Sequence, residues 1–372
     1  MANKILVINS GSATIKYSLF DEKLNEIYSG KEDRIGLPGG AKNHREAIEK
    51  IFKTISESGK IKDLSEIKAV GHRVVHGGED LRRPIIINDE ILKKIKSYSK
   101  LAPLHNPPNI MGIEACLKLL PGVKNVAVFD TGFYETLKPE AYLYALPYQL
   151  YTKEKIRRYG FHGISHNYVS KKAEKILGKK IKKLITCHLG GGSSITAISD
   201  GKPIDTSMGF TPLEGLVMET RSGSIDPAIP IYLISQLNLK PEEVDNLLNK
   251  KSGFIGICGF KDFRDILKSK NKMAKLAYQI YLKSVVKYIG AYTALLQGLD
   301  VLVFTAGIGE GAVRFRKDVV KQLKYLGAEI DEKKNEKGEF IISTKKSKVT
   351  IMVIPTSEEL MIAQEVSKLL KI

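Results

Sequence analysis

Two arginines stand in segments where charged side chains are unusual. Arg73 lies within GHRVVHGG, residues 71–78, and Arg221 lies within TRSGS, residues 220–224. A buried charge needs a partner, and a planar guanidinium can bind a carboxylate or a phosphate through two parallel hydrogen bonds. Either arginine alone is also consistent with a structural ion pair. Together with Gly-rich turns and two acids that could hold a metal ion, Asp130 and Glu358, they indicate phosphoryl transfer.

A pair of histidines, His162 and His166, lies one helical turn apart in the segment HGISH. This spacing is typical of a zinc site, but the zinc-protease motif needs a glutamate directly after the first histidine, and Gly163 stands there. The sequence therefore disfavours a metalloprotease. Each histidine is also consistent with a buried, hydrogen-bonded imidazole.

The apolar run VLVF, residues 301–304, ends in the Gly-rich segment GIGEGA, residues 307–312. We predict a buried strand followed by a turn whose backbone amides can approach a phosphate. The segment also fits the dinucleotide motif G-x-G-x-x-A, so an NAD-dependent oxidoreductase is an alternative. That alternative needs a following strand that ends in an acid, and a strand is doubtful at 327–331. No Walker lysine motif occurs.

The elements that must position these residues show an internal repeat. A predicted hairpin, with strands at 4–8 and 14–20, resembles a second one at 183–188 and 194–198, with Gly11 over Gly191 and Thr14 over Ser194. We also align 126–132 with 301–307. Two pairs in the same order indicate a duplicated domain whose glycine turns line a shared cleft, although chance similarity of short hairpins is the alternative.

The remaining elements predict an α/β fold. We predict helices at 41–58, from Pro107 onward, and at 165–177, 241–250 and 272–299. A final strand at 349–354 leads into a helix that begins near Glu358 and Glu359. Acids in a first turn also stabilise a helix dipole, which is the alternative explanation for Glu358. Alternating strands and helices indicate mixed sheets covered by helices.

Composition limits the class of protein. With 372 residues, 43% of them hydrophobic, the chain has material for two domains. Three dispersed cysteines without a C-x-x-C pair favour a reducing compartment, so we expect a cytoplasmic protein. No signal peptide or membrane span is predicted. The net charge of +18 is spread over many segments without a nucleic-acid-binding motif, so we expect no nucleic-acid partner.

Nine segments, in order along almost the whole chain, closely resemble the acetate kinase family. They are NSGSATIK (9–16), GHRVVHGGE (71–79), LAPLHNP (101–107), VFDT (128–131), YGFHG (159–163), FTPLEG (210–215), DFR (262–264), TAGIGE (305–310) and PTSEE (355–359). Together these segments are far more specific than any one of them.

The resemblance implies two duplicated ribonuclease-H-like domains of the actin-like ATPase fold, with ATP in the interdomain cleft. We place the first domain at residues 1–133 plus 359–372 and the second at residues 134–358. The resemblance also implies a homodimer that takes Mg²⁺ or Mn²⁺, ATP or ADP, and acetate.

The resemblance assigns roles residue by residue. Catalysis falls to Arg73, Asp130, His162 and Arg221, and the metal ion to Asn9 and Glu358, with Asp130 also acting at the metal. The acyl group would contact Arg73, Val75, Leu104, Phe161 and Pro212. The nucleotide would contact Asn9, Ser12, Thr14, Lys16, His188, Gly190, Gly192, Asp262, Phe263, Arg264, Gly307, Ile308 and Gly309, with His105 near the phosphates.

The implied chemistry needs charge neutralisation rather than a general base. Acetate is already ionised at neutral pH, so the reaction needs in-line positioning against the γ-phosphate. Asp130 is therefore better interpreted as a metal or water orienter than as a base. Val75 favours a small acid such as acetate, and a propionate kinase is the alternative.

Several residues depart from the family pattern. Gly191 stands where the family usually has Asn, and Glu219 stands where a Gly is usual. Ser224 stands where an acid is common, and Gly132 and Tyr134 lie in a segment that typically reads Asp-Thr-Ala-Phe-His. We expect the first two departures to alter rate or acyl preference.

Overall fold

The computed structural model describes residues 3–372. The chain divides into two compact units. The first unit takes the chain up to Glu135 together with Gly163–Ser165 and Ser357–Ile372, and the second takes Thr136–His162 and His166–Thr356.

The first unit contains a six-stranded sheet with strand order β3-β2-β1-β4-β6-β5. Its strands are β1 Lys4–Ser10, β2 Thr14–Phe20, β3 Glu26–Asp33, β4 Ile67–Val74, β5 Ile85–Ile86 and β6 Lys124–Phe129. The strands β1, β2 and β3 form an antiparallel meander, whereas β4 runs parallel to β1 and β6 runs parallel to β4. The short strand β5 pairs antiparallel with β6.

The second unit contains a five-stranded sheet with strand order β11-β10-β7-β8-β9. Its strands are β7 Lys183–Leu189, β8 Ser193–Ser199, β9 Lys202–Thr206, β10 Val301–Thr305 and β11 Thr350–Val353. Again a three-stranded antiparallel meander is extended by two parallel strands. Because both units share this order and these directions, the predicted duplicated α/β fold is confirmed.

The topology corrects one half of the predicted repeat. The hairpin β1–β2 corresponds to β7–β8, as aligned from the sequence. The strand β6 is the fifth strand counted from β3, but β10 is only the fourth counted from β9, so the alignment of 126–132 with 301–307 is wrong. The equivalent pairs are β4 with β10 and β6 with β11. Any buried parallel strand that ends in a turn carries this apolar pattern, so the residues alone did not distinguish the partners.

Helices cover the sheets, and the predicted helices are confirmed within a few residues. They are α1 His44–Glu57, α2 Asp89–Ser97, α3 Asn106–Leu119, α4 Pro139–Tyr142, α5 Tyr148–Glu154, α6 Gly163–Leu177, α7 Ala228–Ser235, α8 Pro241–Lys250, α9 Gly253–Cys258, α10 Phe263–Lys268, α11 Lys272–Leu295, α12 Ala306–Gly311, α13 Val313–Gln322, α14 Glu332–Lys337 and α15 Glu358–Leu370. No helix of residues 3–372 is long and apolar enough to cross a membrane.

Each unit buries its own core. In the first, α1 turns Ile48, Ile51 and Ile55 inward, as its apolar spacing predicts, and Asn43 caps it by accepting a hydrogen bond from the Glu46 amide at 3.0 Å. In the second, α11 packs an aromatic cluster against the sheet, and the Tyr281 and Phe315 rings stack 4.9 Å apart. These cores fix the strands whose ends carry the candidate site residues.

The Gly-rich segment after β10 differs from the prediction. Instead of an open turn, the short helix α12 begins directly at the end of the strand, and Ala306 takes a left-handed φ of 64° to make the bend. Glu310 accepts a hydrogen bond from the Ala306 amide at 2.7 Å and from the Thr356 amide at 3.1 Å. The segment at 327–331 holds only an isolated bridge from Ile330 to Ser343, so it lacks the strand that a dinucleotide site requires.

Candidate active site

Arg73 and Asp130 meet at the carboxyl ends of two adjacent parallel strands. Arg73 lies near the end of β4 opposite Val128 of β6, and Asp130 directly follows β6. The guanidinium holds the carboxylate bidentately, with Nε 3.1 Å from Oδ1 and Nη2 2.5 Å from Oδ2. Asp130 is 1% exposed and Arg73 21% exposed, so this charge pair is largely shielded from water. Shielding strengthens the hydrogen bonds and fixes the direction of the guanidinium.

Two further oxygen donors surround Arg73 within the first unit. Arg73 Nη1 donates a hydrogen bond to Asn9 Oδ1 at 3.2 Å, and Glu358 Oε2 lies 3.8 Å from Arg73 Nε. Asn9 lies near the end of β1 directly opposite Lys16 of β2, so both side chains project to the same face. The structure thus brings together Arg73, Asp130, Asn9 and Glu358 as one polar cluster, with Lys16 beside it.

The electrostatics keep Arg73 charged. Burial opposes the charged guanidinium, but the carboxylates of Asp130 and Glu358 outweigh burial and raise the pKa of Arg73. An arginine held this way is a permanent, oriented positive group. It can neutralise an anion placed beside it without any proton transfer.

Two asparagines of α3 fix the backbone that follows Arg73. Asn109 Oδ1 accepts a hydrogen bond from the Val75 amide at 3.1 Å, and Asn106 Oδ1 accepts one from the His76 amide at 3.1 Å. Their amide groups donate in turn to the Ser10 carbonyl at 2.6 Å and the His76 carbonyl at 3.0 Å. Sequence reasoning missed this role, although Asn106 lies inside the segment LAPLHNP that carries the resemblance.

In the second unit, a chain of buried hydroxyls and imidazoles supports His162. His162 takes a left-handed φ of 57° at the start of α6, a conformation that non-glycine residues adopt mainly under local constraint. Its Nδ1 lies 2.9 Å from Ser194 Oγ, and His166 Nε2 lies 2.8 Å from the same oxygen. His166 Nδ1 lies 2.7 Å from Thr186 Oγ1. Ser194 has a single hydroxyl proton and can donate it to only one imidazole, so the two rings are coupled.

His162 and His166 are therefore linked through Ser194 Oγ, and His166 helps to hold the His162 ring in place instead of sharing a zinc ion with it. Burial, and secondarily His188, lowers the pKa of His166 well below its ordinary value, so this imidazole stays neutral. The His162 and His188 rings stack with centroids 4.2 Å apart. No group of three or more His, Cys, Asp and Glu able to hold a metal ion occurs in residues 3–372.

The Gly190–Gly192 turn joins His162 to Arg221. A Cβ atom at Gly192 would lie 3.2 Å from His162 Nε2 and 3.6 Å from Arg221 Nη1. A Cβ atom at Gly190 would lie 3.9 Å from the Gly307 amide nitrogen of α12. The turn therefore leaves open backbone next to an imidazole, a guanidinium and a second Gly-rich segment, as an anion site requires.

Arg221 differs from Arg73 in its partners. Its Nη1 donates to the Pro212 carbonyl at 3.1 Å, and no carboxylate of residues 3–372 lies within 4.0 Å of it. Burial lowers the pKa of Arg221. A partly buried guanidinium without a carboxylate can accept an anionic ligand as its counter-ion.

The residues expected to hold the nucleoside lie around α10 and α12. Asp262 caps α10 by accepting a hydrogen bond from the Arg264 amide at 2.7 Å, and its carboxylate pairs with the exposed Arg264 guanidinium. The Phe263 ring is 4% exposed and packs in the aromatic core, so this ring is not free to stack on a base. Gly307 has open space around it, whereas Gly309 faces the Phe304 backbone.

The predicted acyl-pocket residues differ in exposure. Val75 is 4% exposed and Phe161 is 1% exposed, whereas Leu104 is 45% exposed. Val75 and Leu104 belong to the first unit, and Phe161 and Pro212 belong to the second. Among the predicted phosphate contacts, Thr14 already donates its hydroxyl hydrogen to Asp33 Oδ1 at 3.0 Å, and Ser12 is exposed.

Comparison with known proteins identifies the family. Residues 4–364 match the acetokinase family. The chain is 50% identical to acetate kinase of Thermotoga maritima, covering 99% of both chains, and 52% identical to acetate kinase of Carboxydothermus hydrogenoformans, covering 98% of this chain and 99% of the relative. The chain belongs to the acetokinase family. The match covers both polar clusters described above.

Solved structures of acetokinase-family proteins share the fold. The crystal structure of Porphyromonas gingivalis acetate kinase superimposes with a TM-score of 0.92 at 42% identity, covering 99% of this chain and 100% of the other. A propionate kinase from Francisella tularensis superimposes with a TM-score of 0.93 at 43% identity, covering 98% of each chain. Among acetokinases, this chain is thus similar in fold to enzymes named for either acid.

Proposed function

We propose that the protein is an acetate kinase that reversibly transfers the γ-phosphoryl group of ATP to acetate, giving acetyl phosphate and ADP. The observation that carries this function is the near full-length match, at about half identity, to relatives named acetate kinase. The presence of one partly buried arginine in each unit, Arg73 and Arg221, agrees with it, since a kinase for a carboxylate must neutralise two anionic substrates.

The proposed roles of the residues follow from where negative charge lies during the transfer. An acetate oxygen attacks the γ-phosphorus, the bond from that phosphorus to the β,γ-bridging oxygen breaks, and ADP leaves with the electron pair. Negative charge therefore accumulates on the phosphoryl oxygens and the leaving oxygen. Arg221, which lacks a carboxylate partner among residues 3–372, and the His162 ring beside the Gly192 backbone stabilise this charge, and Arg73 orients and neutralises the acetate carboxylate.

No residue needs to remove a proton from the acceptor. Acetate is already ionised near neutral pH. Asp130 is bound to Arg73 through both carboxylate oxygens, so it holds the guanidinium in place. By the family resemblance we assign it a part in metal binding as well. This division agrees with the interpretation of Asp130 as an orienting group.

Asn9, Asp130 and Glu358 supply oxygen ligands of the kind that Mg²⁺ prefers. They lie together around Arg73, and two carboxylates with one amide would suit Mg²⁺, which is bound through a few carboxylates together with substrate phosphates. When bound, such an ion would neutralise the β- and γ-phosphates. We also propose that the enzyme is cytoplasmic and that it forms a homodimer.

Trapping of acyl phosphate as a hydroxamate tests the activity directly. Protein incubated with ATP, Mg²⁺ and acetate should form acetyl hydroxamate when hydroxylamine is added, and acetyl phosphate with ADP should form ATP. The proposal is rejected if neither reaction occurs with acetate or with propionate.

A propionate kinase is the second candidate, supported by the similarity to the Francisella tularensis enzyme. Comparison of kcat/KM for acetate, propionate and butyrate separates the two. One methylene changes binding in an apolar pocket by only about 1–3 kcal/mol, so a ratio of roughly tenfold or more in favour of acetate supports acetate kinase.

A further inference from the structure

Glu219 is seated on the Gly190–Gly192 turn. A Cβ atom at Gly191 would lie 2.9 Å from Glu219 Cδ and 3.0 and 3.1 Å from its two carboxylate oxygens. The Glu219 side chain therefore occupies the space that a side chain at position 191 would need. The two departures from the family pattern, Gly191 and Glu219, form one structural feature.

The backbone on both sides of this carboxylate is fixed. The Glu219 amide donates to the Gly191 carbonyl at 3.2 Å, and the Glu219 carbonyl accepts from the Ile255 amide at 3.0 Å. The Met218 carbonyl before it accepts from the Phe254 amide at 2.9 Å. The backbone that carries Glu219 is therefore held in place before any ligand binds, and this limits the region that its flexible side chain can reach.

The Glu219 carboxylate has no hydrogen-bond donor among residues 3–372, although the side chain is partly buried and its oxygens can accept several hydrogen bonds. Burial raises the pKa of Glu219, while Lys261 acts in the opposite direction and Asp262 adds to the rise. A partly buried acceptor without a donor among residues 3–372 is available to a donor on a ligand.

The position of Glu219 indicates which part of a ligand it meets. On one side lies the turn next to α12, to which the proposed function assigns phosphates. Asp262 at the start of α10, in the segment assigned to the nucleoside, is also near enough to Glu219 to raise the pKa of its carboxyl group. The ribose connects these two parts of a nucleotide. A carboxylate repels phosphates but accepts hydrogen bonds from hydroxyls.

We propose that Glu219 accepts a hydrogen bond from a ribose hydroxyl of the nucleotide and so selects ribonucleotides over deoxyribonucleotides. The identity of the ligand as a nucleotide rests on the proposed function. Glu219 is then a specificity-determining residue of the nucleotide site, and Gly191 is the residue that makes room for it.

Calorimetric titration with ATP, 2′-deoxy-ATP and 3′-deoxy-ATP in the presence of Mg²⁺ tests this role. The unaltered protein should bind ATP about tenfold more tightly than the analogue that lacks the contacting hydroxyl, since one such hydrogen bond contributes about 1–1.5 kcal/mol. In Glu219→Ala the ratio of the dissociation constants of the deoxy analogue and ATP should fall to about one, because only ATP binds more weakly. The ratio for Glu219→Gln should lie between those of Glu219→Ala and the unaltered protein, and the exposed-site control Glu339→Ala should keep the full ratio.

Gly191→Ala provides a second variant that keeps the carboxylate. The added methyl group displaces the flexible end of Glu219, so the ratio should fall as in Glu219→Ala while far-ultraviolet circular dichroism stays unchanged. The inference is overturned if Glu219→Ala leaves the ratio unchanged, weakens all three nucleotides equally, or changes only the Mg²⁺ dependence. Because binding is measured, protein that selects the ribose but forms no acyl phosphate contradicts the proposed function and not this inference.

Discussion

Arg73 and Arg221 carry the same charge but differ in how that charge is compensated. Arg73 is bound to Asp130 by two hydrogen bonds and lies 3.8 Å from Glu358, whereas Arg221 donates to the Pro212 carbonyl and the Met218 sulfur and has no carboxylate partner among residues 3–372. Removal of Arg73 therefore affects both charge balance and folding. Removal of Arg221 affects mainly a bound anion.

Substitution of either arginine by alanine should lower kcat for acetyl phosphate formation by about a hundredfold or more, because the proposed function assigns charge stabilisation to Arg221 and orientation of the acetate carboxylate to Arg73. Arg73→Ala should also lower the melting temperature, since it removes two hydrogen bonds from the buried Asp130 carboxylate. Arg221→Ala should leave the melting temperature near that of the unaltered protein. Near-normal turnover in either variant would reject its proposed role.

Ser194 is predicted to position His162. Ser194→Ala removes the hydroxyl shared by His162 Nδ1 and His166 Nε2, so the His162 ring loses its fixed direction. We expect kcat to fall about tenfold or more, with little change in KM for ATP or acetate, because misplacement of a group that acts in the transition state affects the chemical step.

The matched control for Ser194→Ala is Ser170→Ala. Ser170 is also buried, but its hydroxyl only donates to the Asn167 carbonyl within α6. A merely structural role of Ser194 would lower both variants' melting temperatures and leave kcat near normal in both. A fall of kcat in Ser194→Ala alone, with KM values unchanged, supports positioning, and an unchanged kcat contradicts it.

At the scale of elements, the carboxyl ends of parallel strands explain which residues meet. The strands β1, β4 and β6 are adjacent and parallel, so Asn9, Arg73 and Asp130 emerge at one edge of the first sheet. The first residue of α15, Glu358, reaches the same cluster. The sequence does not show strand order, which is why the resemblance alone linked these positions before the structure did.

Local sequence patterns predicted the helices and strands themselves better than they predicted which strands and side chains correspond or meet in the fold. The apolar spacing of α1 and the Pro residues that open α3 gave correct helices, and the hairpin repeat was correct because Gly turns and alternating strands are local signals. The pairing of β6 with β10 was wrong because strand equivalence depends on neighbours distant in sequence. The roles of Asn106, Asn109 and Ser194 were missed, since hydrogen-bond partners of buried polar groups are tertiary facts.

The contact between β4 and α15 gives a prediction on stability. A Cβ atom at Gly71 of β4 would lie 2.7 Å from Ile362 Cγ2 and 2.9 Å from Val366 Cγ2 of α15. Gly71→Ala should therefore lower the free energy of unfolding by about 1–3 kcal/mol through overpacking. Urea denaturation measures this change, and the added Val366→Ala substitution should cost less in this background than in the unaltered protein.

Gly290→Ala in α11 is the control for this prediction. Its added Cβ atom would meet only Tyr325 Oη at 3.6 Å, an ordinary contact, and alanine favours a helix over glycine. This substitution should be neutral or stabilising. Equal destabilisation in both variants would show that the β4–α15 contact is not as tight as described.

At the scale of the whole molecule, one domain plan is used twice for different tasks. The first unit gathers Arg73 with three oxygen-bearing side chains, and the second gathers His162, Arg221 and two Gly-rich segments. Asn9, Arg73 and Asp130 lie at the ends of strands, and the two Gly-rich segments of the second unit follow β7 and β10. His162 and Arg221 instead lie at the start of α6 and in the segment between β9 and α7. The duplicated topology therefore accounts for the strand ends and Gly-rich segments, and not for these two side chains.

The net charge of +18 belongs to the chain as a whole and has a consequence for its substrates. Dispersed lysines raise the local concentration of anions around the molecule, and salt screens this attraction beyond about 8–10 Å. ATP carries more negative charge than acetate and should respond more strongly. We expect KM for ATP to rise severalfold between about 0.02 M and 0.3 M ionic strength, which spans Debye lengths of roughly 20 to 6 Å.

Initial rates at fixed free Mg²⁺, with ionic strength set by a salt of weakly binding ions, measure this dependence. Because screening acts on encounter and not on groups that already contact the substrate, kcat should stay nearly constant and KM for acetate should change less than KM for ATP. Equal changes in both KM values would indicate a general effect of salt on the fold. A KM for ATP that is independent of salt would show that the dispersed positive charge does not attract ATP to the protein.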